Sequence, residues 1–334
     1  MTGSVTGSGT DSVTDRPQHG ASWLTWEAAW RDALYGAGGF YRRPEGPAGH
    51  FRTAAHAGPR VLAAALVRLA RDAGCDGILD VGAGRGELLT ALARHEDGSA
   101  PLRLHGVDLV DRPVLLPPRV GWSRADRGVP YAAFDQALVV AWELLDTVPC
   151  QMLEVDEDGR PRRVLVDART GRERLGGPPD DEERRWCARW WPLDGGDPGT
   201  RAEVGSPRDS WWQGHVRLLS RVGGGLLLAV DYAHTAAARP PLGTLSGYRA
   251  GRLVPPVPDG SCDVTAHVAL DAVEAAGRAE GASPGLLLRQ DDALRALGTA
   301  LDRPGAEELL DVGGLGGFTW LLQGVGRPSI DPWH

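Results

Sequence analysis

The chain has 334 residues, which suggests one large domain or two ordinary ones, and 42% of them are hydrophobic, enough for a sizeable core. All 36 basic residues are arginine, and neither lysine nor asparagine occurs. The absence of lysine excludes P-loop, protein-kinase and Schiff-base chemistry, because each of these requires a lysine at its site. The net charge of −8 argues against a nucleic-acid-binding protein, since such proteins normally present a basic face.

The cysteines and the N-terminus bear on compartment and on metal binding. Four cysteines are far apart and form no C-x-x-C pair: Cys75, Cys150, Cys187 and Cys262. This spacing favours reduced, buried thiols over disulfides, and the histidines and cysteines show no metal-ligand spacing, so we expect no metal site. Neither a signal peptide nor a membrane-spanning apolar run is visible. We therefore expect a cytoplasmic protein without membrane insertion.

Composition divides the chain into five parts. Residues 1–20 are small and polar and predict a disordered tail, and residues 21–58 predict an N-terminal helix, from Trp23 onward, with a glycine- and proline-rich loop over the cofactor site. In 59–150 and again in 223–334, short apolar strands alternate with helices. This alternation predicts an α/β fold with a Rossmann-like, doubly wound parallel sheet. Residues 151–222, rich in arginine, acids and tryptophan, predict an inserted lid or substrate region.

The elements of this sheet follow one another closely along the chain. Pro59 can open a helix that ends near Gly74. The predicted strands lie at 77–81, 102–108, 120–123, 134–141, 225–231, 286–290 and 318–323, with a helix at 87–95. A further helix is predicted at 266–277, capped by Asp263 and Thr265.

A glycine-rich loop joins the first of these strands to its helix, and it reads Asp80-Val81-Gly82-Ala83-Gly84-Arg85-Gly86-Glu87. Glycines permit a tight turn and let a ligand lie against the backbone. A dinucleotide site reads G-x-G-x-x-G and holds a pyrophosphate at the helix N-terminus. Here the third glycine comes one residue early and Glu87 stands at the last position, where its charge would repel a pyrophosphate. The loop instead suits S-adenosylmethionine, whose sulfonium and amino groups are cationic.

We therefore expect this loop to bind S-adenosylmethionine through Asp80, Gly82, Gly84 and Gly86. Asp108 ends the next strand, 22 residues after Gly86, and is well placed to accept hydrogen bonds from a ribose diol. Two alternatives remain open. The glycines could mark only a tight turn, or the site could belong to a nicotinamide oxidoreductase, which the early glycine disfavours.

Four segments, spread over most of the chain after residue 40, carry a resemblance to a known family. They are Gly49-His50-Phe51-Arg52-Thr53, the loop 80–88, Glu143-Leu144-Leu145-Asp146-Thr147-Val148-Pro149, and the pair Asp231-Tyr232 with Asp263-Val264-Thr265-Ala266-His267-Val268. In this order they resemble the G-D-F-Y-T, E-x-G-x-G-R-G-T-L, N-E-F-F-D-A-L-P, and D-Y-G with D-L-T-A-x-V segments of the MidA-family methyltransferases. That family includes the mitochondrial arginine methyltransferase that assists assembly of respiratory complex I.

The resemblance implies a class I S-adenosylmethionine-dependent methyltransferase, with Phe51 and Thr53 among the cofactor-binding residues. Three positions depart from the family pattern. Trp142 replaces the asparagine before the family glutamate, His50 replaces the aspartate of G-D-F, and Ala233 replaces the glycine after Asp-Tyr. Trp142 and His50 are expected near the mouth of the site, so these changes bear on the identity of the substrate.

Methyl transfer from a sulfonium is an in-line displacement that depends on positioning and on the charge of the nucleophile. Glu143 and Asp146 follow the fourth strand, and ligands of open α/β sheets bind beyond the carboxyl ends of strands. We expect both beside the methyl donor, with Glu143 holding an arginine guanidinium in a bidentate pair. Glu203 resembles a family glutamate and is a candidate second clamp. Surface or helix-capping roles are the alternatives for these acids.

Several other polar residues remain open. Asp231 either lines the pocket or binds nearby backbone N–H groups. His267 is expected to be structural, on the helix predicted at 266–277. Tyr248 and Arg249 resemble a family segment near the substrate cleft and are candidate contacts.

The sequence thus predicts an S-adenosylmethionine-dependent methyltransferase that acts on a protein side chain, with arginine favoured. We expect a protein substrate and no nucleic acid, and homodimerisation is left open. The alternative is a catalytically inactive, methyltransferase-like assembly factor that acts by binding a partner protein.

Overall fold

The computed structural model describes residues 22–43, 53–95 and 98–326. Its helices are α1 (Trp26–Tyr35), α2 (Ala54–Ala57), α3 (Pro59–Asp72), α4 (Glu87–Arg94), α5 (Asp181–Trp190), α6 (Ser206–Ser220), α7 (Leu270–Ala279), α8 (Gln290–Ala296) and α9 (Ala306–Leu310). Its strands are β1 (Trp23–Thr25), β2 (Gly77–Val81), β3 (Arg103–Asp108), β4 (Val120–Arg124), β5 (Ala137–Trp142), β6 (Gln151–Val155), β7 (Pro161–Asp167), β8 (Glu173–Leu175), β9 (Arg201–Val204), β10 (Gly225–Asp231), β11 (Ala233–His234), β12 (Ser246–Arg249), β13 (Arg252–Val254), β14 (Asp263–Thr265), β15 (Val268–Ala269), β16 (Leu286–Arg289) and β17 (Thr319–Val325).

Seven of the described strands form a central sheet in the order β4-β3-β2-β5-β10-β17-β16. Strands β4, β3, β2, β5 and β10 are parallel, whereas β17 runs antiparallel to both of its neighbours. The inner strands β2, β5 and β10 are buried along their whole length, as parallel strands covered on both faces require. The predicted α/β fold with a doubly wound sheet is confirmed.

Apolar side chains cover both faces of this sheet. Ile78 of β2 packs in a cluster with α3, α4, α8 and α9, whereas its neighbour Leu79 packs in a second cluster with α6 and α7. The alternation follows from the two-residue period of a strand, which sends successive side chains to opposite faces. The sheet therefore lies between two helical layers, and its strand ends remain open for a ligand.

A second, antiparallel sheet contains β1-β7-β6-β9, with β8 paired to β7. Four of these strands lie between Gln151 and Val204, and β1 joins them through the pair Trp23 and Asp167. The region predicted as an insertion, 151–222, also contains α5 and α6. Helix α6 packs its buried face, which includes Trp212, against the central sheet and α7.

Two predicted helices differ from the structure. The N-terminal helix begins at Trp26, because Trp23 lies in β1 and the Thr25 side chain accepts a hydrogen bond from the backbone N–H of Ala28 at 3.3 Å. The helix predicted at 266–277 begins only at Leu270 and ends at Ala279. Asp263 and Thr265 were wrongly expected to cap it, since both lie in β14, which pairs with β12.

The tail predicted at 1–20 lies outside the described residues, as do His50 and Phe51. The four cysteines are buried and are not joined in disulfides. Among the helices that the structure describes, none combines the length and apolar character needed to cross a membrane.

Candidate active site

A cavity of about 460 Å³ lies at the carboxyl ends of β2, β3 and β5, a volume typical of small-molecule sites. The glycine loop, the last residues of β3 and the segment 142–149 line it, together with Tyr35 of α1 and Thr53 before α2. Crevices at this edge of an open α/β sheet are the usual ligand sites of such folds. The structure thus brings the predicted cofactor loop and two of the predicted acceptor residues, Glu143 and Asp146, to one cavity.

The glycine loop turns sharply between β2 and α4. Gly82, Gly84 and Gly86 have φ values of +76°, +58° and +78°, a left-handed conformation that favours glycine. The Gly84 N–H donates to Asp108 Oδ2 at 2.8 Å, which fixes the loop to the end of β3. A Cβ on Gly82 would lie 2.8 Å from Leu144 Cδ1, so a larger residue would have to displace that side chain as well as adopt the strained φ.

Three acids surround this loop and line the cavity, namely Asp80, Glu87 and Asp108. Burial raises the pKa of Asp80 to about 8, and the nearby charges of Asp108 and Glu87 act in the same direction. Burial also raises the pKa of Asp108, although hydrogen bonds from backbone N–H groups oppose this. An acidic lining suits a cationic ligand and repels a pyrophosphate. The residues present therefore fit a sulfonium cofactor better than a dinucleotide.

Thr53 lies beside this part of the cavity, as the sequence predicts. Its hydroxyl is 2.8 Å from His56 Nδ1, and His56 Nε2 is 3.7 Å from Glu87 Oε1. These contacts join α2 to the first turn of α4. Phe51, the other residue predicted in this segment, lies outside the described residues.

Glu143 directly follows β5 and lines the cavity. Its φ of +51° is unusual for a residue with a side chain, and strained backbone of this kind is concentrated at functional sites. The Glu143 N–H donates to Val230 O at 2.9 Å, and Glu143 Oε1 accepts from the Ala54 N–H at 2.9 Å. Burial raises the pKa of Glu143 to about 8.

Asp146 and Asp263 line the same cavity, although they are far apart in the chain. Thr265, two residues after Asp263, donates its hydroxyl proton to Asp146 Oδ2 at 2.8 Å, and the Ala266 N–H donates to Asp146 O at 3.0 Å. Two of the segments that carry the family resemblance therefore meet at the site. Burial raises the pKa of both acids.

Sequence reasoning missed three residues of the cavity, Asp263, Tyr35 and Tyr41. The Tyr41 hydroxyl lies 3.1 Å from both carboxyl oxygens of Asp263, and the Tyr35 hydroxyl donates to Thr147 O at 3.0 Å. The two tyrosine rings stack with centroids 5.7 Å apart. Asp263 belongs to the segment 263–268, which carries the family resemblance, but the sequence predicts only a helix cap there. The signal for the tyrosines is their place at a junction, since Tyr35 ends the tryptophan-bearing helix and Tyr41 begins the glycine- and proline-rich loop.

Glu203 does not occur among the described residues that line the cavity. Its Oε1 accepts hydrogen bonds from the backbone N–H groups of Thr244 at 2.5 Å and Leu245 at 3.2 Å. Burial raises the pKa of Glu203, and the contacts on Oε1 favour a role in holding the loop before β12. The structure therefore separates Glu203 from Glu143 and Asp146.

The candidate contacts Tyr248 and Arg249 also lie elsewhere, at the exposed end of β12. His267, expected to be structural on a helix, lies instead between β14 and β15, stacked on Tyr232 at a centroid distance of 5.4 Å. Trp142 does line the cavity, and its ring packs edge-on against Trp320 at 5.4 Å.

For Asp146 and Asp231, the structure bears on the alternative roles that the sequence left open. Asp146 lies in the short 3₁₀ turn Leu145–Thr147 and makes no side-chain cap. Asp231 binds the Leu145 N–H at 3.1 Å. Within the described ranges, no group of three or more histidine, cysteine or acidic side chains is arranged to hold a metal ion.

Comparisons with known proteins agree with this fold. Residues 61–285, about two thirds of the chain, match a family model described as "Putative S-adenosyl-L-methionine-dependent methyltransferase". A search of curated proteins gives no match. Two crystal structures of COG1565-superfamily proteins from Burkholderia thailandensis superpose with a TM-score of 0.72, covering 93% of this chain and 90% of theirs.

The first of these structures is 21% identical to the chain and is bound to S-adenosyl-homocysteine, and the second is a native structure that is 22% identical. At this identity the likeness shows the fold, which is that of the class I methyltransferases. Because the family model spans most of the chain, the protein belongs to this family of S-adenosylmethionine-dependent methyltransferases.

Proposed function

We propose that this methyltransferase is a cytoplasmic member of the MidA family and methylates arginine side chains of a partner protein. The observation that carries the proposal is a group of three carboxyl residues in the wall of the cofactor cavity, the half-buried Glu143 and Asp146 and the buried Asp263. They lie close enough for their charges to raise one another's pKa. A bound cation would stabilise the ionised forms of these carboxyl groups.

A guanidinium is the cation that suits these residues best. A carboxylate binds it through two parallel hydrogen bonds, and the positive charge favours the ionised form of a buried acid. With Glu203 outside the cavity, Asp263 takes its place as the candidate second clamp beside Glu143. A neutral hydroxyl acceptor carries no positive charge that could balance several ionised carboxyl groups.

The glycine loop and its acids would hold the cofactor, with Asp80, Gly82, Gly84 and Gly86 at the loop and Asp108 at the ribose. When bound, S-adenosylmethionine supplies an electrophilic methyl group on its sulfonium. The structure with bound S-adenosyl-homocysteine from B. thailandensis, which shares this fold, supports the assignment. Thr53, which precedes α2 and lines the cavity, would contact the cofactor from the side opposite the glycine loop.

Methylation of a guanidinium also releases a proton. The nitrogen forms a bond to the methyl carbon while the carbon–sulfur bond breaks, so that the products are a thioether, a methylguanidinium and one proton. Burial raises the pKa of Glu143 and so makes its carboxylate a stronger base than an exposed glutamate. A bound guanidinium would hold it ionised, in position to accept that proton. Glu143 would thus orient the nucleophile and take up its proton.

The proposal is tested by comparing methylated peptides from cells that carry the wild-type gene, a deletion, or Glu143→Gln, with mass spectrometry that separates arginine, glutamine and cysteine methylation. Glutamine keeps an oxygen for the Ala54 N–H, so the variant should fold and bind S-adenosyl-homocysteine. Arginine methylation that disappears in both the deletion and Glu143→Gln supports the proposal. Methylation of another residue type overturns the arginine acceptor. Cofactor binding without any gene-dependent protein methylation favours an inactive assembly factor.

A further inference from the structure

Asp231 lies at the end of β10, fully buried, and is not among the described residues that line the cavity. Its Oδ2 accepts from the Leu145 N–H at 3.1 Å, and Asp146 Oδ2 accepts from the Thr265 hydroxyl at 2.8 Å. The other oxygen of each aspartate is buried and receives no hydrogen bond from any described donor. Asp231 is bound to the N–H of Leu145, the residue before Asp146, so the two carboxyl groups lie side by side and their charges interact.

A hydrogen bond between two carboxyl groups requires a proton on one of them, because an ionised carboxylate only accepts. Two ionised carboxylates in contact away from water would also repel each other strongly. One proton removes the repulsion and gives both unpaired oxygens a partner. A single negative charge on the pair Asp146–Asp231 meets both requirements.

Burial raises the pKa of Asp146, whereas its polar and charged contacts oppose this and favour the ionised form. The Thr265 hydroxyl donates to it, and Arg208 on α6 and His267 before β15 face it with positive or partly positive groups. Arg208 is itself buried, and its guanidinium donates to Asp146 O at 3.1 Å.

The surroundings of Asp231 favour its neutral form. It receives one backbone N–H, and the charged groups that face it are the carboxyl groups of Asp146 and Glu143. Burial and these two charges together raise the pKa of Asp231 well above its ordinary value.

We propose that Asp231 is a positioning residue that remains a neutral acid and donates its proton to Asp146, holding the ionised Asp146 carboxylate at the cavity wall. Its effect on acceptor binding rests on the arginine methyltransferase function proposed above. The protonation itself does not, because it follows from contacts between residues of this chain.

Asparagine imitates a neutral aspartic acid at this position. Its oxygen can accept from the Leu145 N–H, and its NH₂ group can donate to Asp146. We expect Asp231→Asn to keep kcat/KM for the arginine-containing acceptor within a few-fold of wild type. Asp231→Ala leaves Asp146 without its donor and should lower kcat/KM by roughly ten- to a hundredfold. If Asp231→Asn is as impaired as Asp231→Ala, the proposal is overturned, since a required negative charge would explain that result.

Infrared spectroscopy of protein labelled with ¹³C at the aspartate carboxyl groups tests the protonation without an acceptor. At neutral pH, Asp231→Asn should remove one band of a neutral carboxylic acid, whereas the exposed control Asp126→Asn should remove only carboxylate absorption. Loss of carboxylate absorption from Asp231→Asn overturns the proposal. If the neutral-acid band is lost as expected but the wild type methylates no arginine, the proposed function fails and the positioning of Asp146 stands.

Discussion

Glu143 lies in the cavity wall with strained backbone, and its carboxyl group is shielded from water. This shielding makes the free energy of unfolding depend on whether Glu143 is ionised. Because burial raises its pKa from 4.5 to about 8, the folded state favours the protonated form. The stability gained in this way is fully present below pH 4.5 and is lost as the pH rises through about 8.

We therefore predict that Glu143→Gln, which cannot ionise, gains stability relative to wild type as the pH rises across this range. Urea denaturation at a series of pH values measures the two free energies of unfolding. Parallel curves for the two proteins would contradict the prediction, because they would mean that Glu143 titrates alike in the folded and unfolded chains.

Gly84 allows a test of the cofactor loop. Valine at its φ of +58° is strained by roughly 1–2 kcal/mol, and the side chain would enter the cavity. We predict that Gly84→Val loses S-adenosyl-homocysteine binding in calorimetry. Gly159→Val is the matched control, because Gly159 has a φ of +74° and open space around it, in the turn between β6 and β7. Equal loss of binding in both variants would show a general effect of strain.

The sequence located Glu143, Asp146 and the glycine loop because each follows an apolar strand, and the carboxyl ends of parallel strands meet at one edge. It did not locate Asp263. That residue reaches the cavity only through the pairing of β14 with β12, and such contacts between distant segments leave no local pattern.

At the scale of elements, Arg208 joins α6 to the two segments that form the acceptor side of the cavity. Its buried guanidinium donates to four backbone oxygens at 2.8–3.3 Å, those of Asp146, Val148, Ala266 and His267. Removing the donors leaves these carbonyls unpaired in the interior.

We predict that Arg208→Met lowers the free energy of unfolding by about 3 kcal/mol or more. Arg217→Met on the same helix is the control. Arg217 is half-exposed and pairs with Glu280, so its loss should cost less than about 1 kcal/mol. Urea denaturation measures both changes, and similar values for the two variants would count against a role of Arg208 in joining these elements.

The inner strands of the central sheet could be predicted because their short apolar runs are bounded by glycine or by acidic residues. The same reasoning fails at 266–277, where a helix is predicted but the structure begins the helix only at Leu270. Buried Val264, Ala266 and Val268 alternate with the less buried Thr265 and His267, a two-residue period that indicates a strand. The capping pattern of Asp263 and Thr265 was given more weight than this alternation. The antiparallel sheet of the insertion was also missed, and its strand β1 pairs with β7 across more than a hundred residues.

At the scale of the whole molecule, the cavity lies where the order of the sheet changes direction. From β2 the chain continues to β3 on one side and later to β5 on the other, so the loops after β2 and β5 diverge and leave a crevice. The alternation of strands and helices predicts such a crevice. The antiparallel placement of β17 between β10 and β16 could not be read from the sequence, because neighbours in a sheet are set by packing rather than by local pattern.

This arrangement links cofactor binding to the stability of the whole fold, since the cavity joins the central sheet to α1 and the segment before α2. A ligand that binds only the folded state stabilises it by about 2.7 kcal/mol at a hundred times its Kd. We predict that S-adenosyl-homocysteine raises the free energy of unfolding of wild type by this amount, and that Gly84→Val shows no such increase. NADH is the matched control ligand, because its pyrophosphate would face Asp80, Glu87 and Asp108. Stabilisation by NADH but not by S-adenosyl-homocysteine would contradict the assignment of the cavity to a cationic cofactor.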